Sequence, residues 1–398
     1  MPPRTPAPAS AASASPRAGG AVALLSWAHF LNDGAANFLP GILPVLLAAM
    51  AIPIGYAGAI MAILIAGQAL QPLTGLLSDT WGGRAFLVAG LAGSSLGAAW
   101  VGWAHGRASL IAALVLIGVC NAGFHPPALA ATRAYGGGSG ERQVAVFLVG
   151  GEIGRGAWPL AASVVVEALG LGGLWVLALA AAVTLPGLWL RLRDIPRRPP
   201  PGGAWRALRE ARGPLAALLA YSSLRSAMIV GVSAFVPLWW EARGGRLVTG
   251  AALITTMLVV GIVGNFGAAV LAERLGRRAV VAAGTLLSCV FLALFLCASG
   301  AWLWLLMAAL GVALFATLPL TVLMGQDLLP RHHALGSGLA LGFCNALGAA
   351  VVAALGGALA ARWGAAGVLW AMEGCGLAAL ALAATLPRLT DADAGGLC

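Results

Sequence analysis

The chain contains no lysine: its 23 basic residues are all arginine, and charged residues of every kind make up only 9% of the sequence. So little charge, beside 60% hydrophobic residues and a mean hydropathy of +0.93, excludes a soluble globular core. Cysteine is sparse as well. Cys120, Cys289, Cys297, Cys344, Cys375 and Cys398 show no paired or metal-like spacing, which argues against a disulfide framework and marks them as small packing residues. Also missing at recognisable spacing are a nucleotide-binding loop, a metal-ligand cluster and a nucleophile with its base and oxyanion donors, so neither an enzyme nor a cofactor is expected. Residues 1–20, rich in Pro, Ala and Ser, lack the layout of a secretory signal and read as a disordered tail.

What is present is apolar sequence in long runs. They lie at about 21–48, 55–78, 84–104, 109–132, 143–168, 172–191, 213–240, 248–272, 278–299, 301–328, 334–361 and 365–386, each long enough to cross a bilayer. The expected fold is therefore an all-α integral membrane protein of twelve transmembrane helices. The polar, Pro- and Arg-rich stretch 192–212 divides it into bundles 21–191 and 213–387, with a short helix near Ala204–Ala211 and a second tail at 388–398.

The net charge of +10 does not indicate a nucleic-acid partner, because the arginines follow the connections between runs and form no surface stripe. With the turns after runs two and eight assigned to the cytoplasm, 17 of the 23 arginines fall on that side, four fall outside and two, Arg155 and Arg225, lie within runs. That asymmetry places both termini in the cytoplasm of a multi-pass inner (plasma) membrane protein.

The two bundles repeat each other. Gly75-Leu-Leu-Ser-Asp79-Thr-Trp-Gly82-Gly-Arg84 is matched by Ala269-Val-Leu-Ala-Glu273-Arg-Leu-Gly276-Arg277-Arg278, and Asn32 with Pro44 by Arg225 with Pro237. Two parallel repeats of six spans enclosing a site between them are a transporter architecture.

The first of these turns resembles the signature Gly-x-x-x-Asp-x-x-Gly-x-Arg of the major facilitator superfamily, with Ala269 and Glu273 departing from it in the second copy. Leu31-Asn32-Asp33-Gly34, Gly123-Phe-His125-Pro126, Val149-Gly-Gly151, Phe235-Val-Pro237-Leu and Gln326-Asp327-Leu-Leu-Pro330 resemble the fosmidomycin-resistance branch, a group of proton-coupled drug exporters. In this chain Glu152 and Trp158 stand where that branch usually has Asn and Gly. The resemblance implies alternating access without ATP and a monomer. It also gives Gly75, Asp79, Gly82 and Arg84 the role of a conformational latch, with Glu273 and Arg277 as the second copy; the alternative is a solvated turn.

Charged residues inside spans are the other candidates, since each needs a partner, water or a ligand. Helical spacing puts His29, Asp33 and Asn37 on one face of span one, beside Asn32. There Asp33 could carry a proton if burial favours its neutral form, with His29 or Asn37 tuning it, or it could serve only as an interhelical hydrogen bond. Glu152 and Arg155, three apart in span five, are either an intrahelical ion pair or a switch in which protonating Glu152 frees Arg155 for an anionic group. Arg225 calls for a cavity, an acidic partner such as Asp33 or Glu152, or an anionic ligand. His125 could complete an anion site, and Pro126-Pro127 after it should break the helix. Asn345 is a further candidate for substrate contact, although packing is the commoner use of such a residue.

The function expected from these residues is proton-coupled export of a small anionic or zwitterionic compound, with protons and the lipid bilayer as the other partners. Proton-coupled import of an organic acid uses the same residues. The alternative from another class is a transporter-like assembly factor or sensor that moves nothing.

Overall fold

The computed structural model describes residues 16–136, 140–192 and 202–387, and among these every regular element is helical. The first bundle holds α1 (Pro16–Asn37), α2 (Leu43–Ala49), α3 (Ala57–Ala66), α4 (Gln71–Trp81), α5 (Gly83–Val101), α6 (Arg107–Gly136), α7 (Gly140–Leu169) and α8 (Trp175–Arg191). After α9 (Ala204–Glu210), the second holds α10 (Arg212–Glu241), α11 (Leu247–Leu275), α12 (Arg277–Cys297), α13 (Trp302–Ala316), α14 (Leu318–Leu328), α15 (His333–Gly338) and α16 (Cys344–Ala383). Helix α1 begins at Pro16, inside the expected tail, with proline at the first helical position, where its missing N–H goes unused. Residues 193–201 of the expected linker, residues 1–15 and the expected tail 388–398 lie outside the described residues.

Nine stretches among the described residues are long and apolar enough to cross a membrane. The last of them, Leu335–Ala383, turns back at Gly364, whose φ of 64° only glycine adopts freely, and so runs across twice. Segment α1–α2 and helix α7 pack beside them, carrying His29, Asn32 and Asp33 and the Glu152–Arg155 pair respectively.

Several expected spans are built from pieces. Span one changes at Leu39–Gly41, a 3₁₀ turn that contains Pro40 and is followed by Pro44, span two at a 3₁₀ turn over Gly67–Leu70, and span eleven at a π-turn over Leu339–Phe343. The break expected at Pro126-Pro127 does not occur, and α6 runs through both prolines. Proline at 126 leaves the Ala122 carbonyl without its helical donor, and the Thr74 hydroxyl of α4 supplies one at 2.8 Å.

Apolar packing shows how the bundles meet. Towards the ends of the helices far from the linker, one continuous core joins them, with Phe38, Ile42, Leu46, Ile60 and Leu64 of the first bundle packed in the same cluster as Val230, Ala234, Leu238, Leu258 and Val352 of the second. Close approach there depends on glycine: a Cβ at Gly58 would lie 2.6 Å from the Val352 carbonyl oxygen. An exposed ion pair, Glu167 with Arg246, also spans the bundles at this far face. Towards the linker the core divides into two separate clusters, one around Leu25, Leu91, Phe124 and Leu188 and the other around Leu218, Tyr221, Val281 and Met324. The bundles therefore share one core at the far face and keep separate cores towards the linker, where α4 and α15 still touch, Gly338 lying against Pro72; the space between the two separate cores is the cleft.

Candidate functional site

At mid-depth in the first bundle, helices α1, α6 and α7 converge on one carboxylate. Asp33 is buried, and His125 Nε2 lies 2.9 Å from its Oδ1 while Arg155 Nη2 lies 3.3 Å from its Oδ2. His29 Nε2 stands 3.4 Å from the same Oδ2, one helical turn back on α1, and Asn121 Nδ2 approaches at 3.5 Å. The expected stacking of His29 and Asp33 is therefore present. Asn37 donates to the backbone carbonyl of Asp33 at 2.8 Å, leaving the carboxylate to the others.

The two histidines are held alike. A carbonyl oxygen can only accept, so the 2.8 Å contacts of His29 Nδ1 with Phe147 O and of His125 Nδ1 with Asn121 O put a proton on Nδ1 of each ring. Both Nε2 atoms then face Asp33, and a hydrogen bond there needs a further proton. Nε2 of the buried His29 has no hydrogen-bond partner among the described residues. Its ring stacks on Phe147 with centroids 4.1 Å apart, so it cannot turn away. His29, Asp33 and His125 present donor atoms all within 4.8 Å of one another. No sequence spacing announces this triad, because positions 33 and 125 lie on different helices.

Glu152 and Arg155 do form the intrahelical pair, at 3.3 Å, but Arg155 is shared: Nη1 holds Glu152 and Nη2 holds Asp33. The Arg155 side chain is 34% exposed and that of Glu152 19%, so the cleft reaches both. Trp158 packs within the first bundle, flat against Gly34 and beside Phe30.

Arg225 on α10 of the second bundle is buried, and its Nε and Nη1 have no hydrogen-bond partner among the described residues. A static pair with Asp33 or Glu152, one of the expectations, is not formed. Tyr221 and Cys344 lie beside it, the Ser222 hydroxyl is likewise unsatisfied, and Arg155 of the first bundle lies within electrostatic reach.

Other candidates are placed differently. Asn32 turns from the cleft and accepts the Ser94 hydroxyl of α5 at 2.9 Å, a packing bond. Asn345 donates to Gln68 Oε1 across the bundles at 2.8 Å, where the 3₁₀ turn of span two faces the π-turn of span eleven. In the turn after α4, Gly82 has φ of 114°, and its repeat Gly276 has φ of 81°, a conformation that explains why glycine recurs at both. Gly75 lies against Pro126. The Asp79 side chain lies outside the described residues. Arg84 donates to Trp189 O at 3.2 Å and covers that indole. Arg277 does not take Glu273, which is exposed: it pairs with Asp327 of α14, because the turn at Gly276 starts α12 pointing into its own bundle. Asp327 lies in the Gln326–Pro330 motif, and nothing in its local sequence marks it as the partner of Arg277.

Residues 25–340 match the profile of the Major Facilitator Superfamily. The chain is 25% identical to the uncharacterized MFS-type transporter YfnC of Bacillus subtilis (strain 168) over 82% of its length and 83% of that protein's. It is 24% identical to the fosmidomycin resistance protein of Escherichia coli (strain K12), over 85% and 86%. Among solved structures, the nucleoside transporter NupG superposes with a TM-score of 0.78 at 13% identity, covering 92% of this chain and 99% of that one. A bacterial homolog of the human lysosomal transporter Spinster, inward-facing and occupied, gives 0.76 at 15% identity, covering 96% and 99%.

Proposed function

The chain belongs to the Major Facilitator Superfamily, and from that membership we propose that this multi-pass membrane transporter exports a small anionic or zwitterionic compound in exchange for protons. The observation that carries the reading is Arg225, a buried guanidinium with two unpartnered donors. Guanidinium stays charged at any working pH, so inside a membrane it needs an anion, and none of the described residues supplies one. Arg155 is the second cationic contact, reached from the cleft.

Proton coupling is assigned to Glu152. Asp33 is enclosed by two histidines, Asn121 and Arg155 and acts as the anchor of that cluster, whereas Glu152 faces the cleft with Arg155 as its one ion-pair partner among the described residues. Protonating Glu152 loosens Arg155 for the substrate's negative group, and binding of that group excludes the charged carboxylate. Proton and anion thus occupy Arg155 in alternation. The arginine asymmetry of the connections makes the linker face cytoplasmic in an inner membrane, so this conformation is the one open to the cytoplasm. The likeness to a drug-resistance protein supports outward transport. A single chain contains both bundles and the site, consistent with a monomer.

The test is proton movement in proteoliposomes holding a pH gradient, challenged with phosphonates, organic acids, sugars and cationic drugs. Anions should trigger it, and Glu152→Gln should keep anion binding while losing dependence on the gradient. Proton movement of the opposite sign would mean import. Silence from folded protein, or a response confined to sugars or cations, would overturn the reading.

A further inference from the structure

We propose that His29, Asp33 and His125 form a binding site for a zinc-class divalent metal ion, with its fourth coordination position turned towards the cleft. This inference stands apart from proton coupling, which the preceding section assigns to Glu152.

The donor set comes first. Two imidazoles and one carboxylate suit zinc, cobalt or nickel; magnesium and calcium prefer all-oxygen shells, and copper(I) prefers sulfur. Geometry agrees. A tetrahedral zinc ion with bonds of about 2.0–2.1 Å has ligand atoms roughly 3.3 Å from one another. His125 Nε2 lies 2.9 Å from Asp33 Oδ1 and His29 Nε2 lies 3.4 Å from Asp33 Oδ2, so the carboxylate spans the two rings, and one donor atom from each residue falls within 4.8 Å of the other two. To form a coordination shell the donor atoms close in from separations of up to 4.8 Å, a movement of side chains that leaves the helices in place.

Orientation is the second argument. Metal-ligating histidines nearly always donate their other ring N–H to a carbonyl or carboxylate, which fixes the tautomer and aims the lone pair. Both histidines do so here, through Phe147 O and Asn121 O, leaving each Nε2 as the free donor atom. His29 Nε2 is the decisive atom. It is buried, aimed into the triad and without a hydrogen-bond partner among the described residues, and a metal bond satisfies it directly.

Charge is the objection to meet. Arg155 sits 3.3 Å from Asp33 and opposes a cation, but Glu152 at the same distance from Arg155 offsets it. The His125 side chain is 24% exposed, so water or an anionic group of the transported compound can take the fourth position. A metal there would add to the pull of Arg155 and Arg225 on that compound.

The experiment uses the full chain purified in detergent and stripped with a chelator. Cobalt(II) serves as a visible probe, and zinc is added in competition by calorimetry. One saturating equivalent per chain is expected, with the intense d–d absorption of tetrahedral cobalt, displaced by zinc. His29→Gln and His125→Gln should each weaken binding by more than about 100-fold, while His105→Gln and His333→Gln leave it unchanged. His125→Cys retains a ligand and should bind cobalt with a new sulfur-to-metal charge-transfer band, an outcome that a damaged fold does not produce. Absence of a saturable site in wild type, or binding that survives both glutamine variants, would overturn the proposal. Either result is read without transport, so it is separable from failure of the export reading.

Discussion

Arg225→Met is the substitution whose two effects should have opposite signs. Methionine approximates the length of the arginine stem without its charge, and the position is buried in α10. A charged residue at the centre of a membrane helix costs about 2.5 to 3.5 kcal/mol on insertion scales, and no partner among the described residues offsets it here. Removing the charge should therefore leave the unliganded protein as stable as wild type or more so. Anion binding should move the other way. Nε and Nη1 offer two charge-assisted hydrogen bonds, and such bonds contribute about 1.5–3 kcal/mol each before the anion's own desolvation is subtracted. A net loss of about 2–4 kcal/mol corresponds to roughly 30- to 700-fold in Kd. The assay is thermal unfolding in detergent with and without a transported anion, paired with calorimetric affinity. A variant that unfolds earlier yet binds the anion as wild type does would show that the guanidinium is structural, and the argument for an anionic substrate would fall.

Three further outcomes follow from the bundle contacts. Gly58→Val forces side-chain atoms into the Val352 backbone, so the far face should open; spin labels placed across it should move apart, and an unchanged distance would show that the glycine contact does not govern closure. Arg246→Gln removes an exposed ion pair, so thermal stability should stay constant while the salt dependence of that far-face distance disappears; a salt response identical to wild type would refute a part for this pair in holding the far face closed. Asp327→Asn should slow turnover more than it weakens binding, because it loosens the turn at Arg277 and leaves the cleft intact; a change confined to Kd would contradict this, as would an equal further loss from Asp327→Asn when Arg277 is already replaced by alanine.

The membrane class, the duplicated turn and the intramembrane charges were all legible in the sequence, because each is written locally. Hydropathy needs only a window of residues, and the recurring Gly82 and Gly276 reflect one positive-φ turn used twice. Helical spacing likewise gave the meeting of His29 with Asp33 and of Glu152 with Arg155. What could not be read depends on which helices become neighbours. Arg155 reaching Asp33, His125 closing on its other oxygen, and Asp327 displacing Glu273 as the partner of Arg277 are contacts between elements far apart in the chain. The unbroken helix at Pro126-Pro127 is the same lesson at backbone level, since the stand-in donor, Thr74, comes from α4. Asn32 misled for a simpler reason: it sits beside Asp33 in sequence, but one residue on a helix is a turn of about 100°, which carries it to Ser94 and out of the cleft.

The repeat has diverged most where charge is concerned, and that asymmetry bears on coupling. His29, Asp33, His125, Glu152 and Arg155 all belong to the first bundle, while the second contributes Arg225 at the position that repeats Asn32. Any rocking motion that closes the linker face presses the Arg225 wall towards the Arg155 wall. Two like charges about 8 Å apart repel by roughly 2 kcal/mol at an effective dielectric of about 20, enough to hold back closure of an unloaded cleft by more than tenfold. An anion placed between them reverses the sign of that term. On the proposed reading, then, the substrate acts as the counter-charge that lets the bundles close over it. A carboxylate engaged with Arg155 can do part of the same work on the return, which is the physical reason that Glu152 and the anion should alternate and not act together.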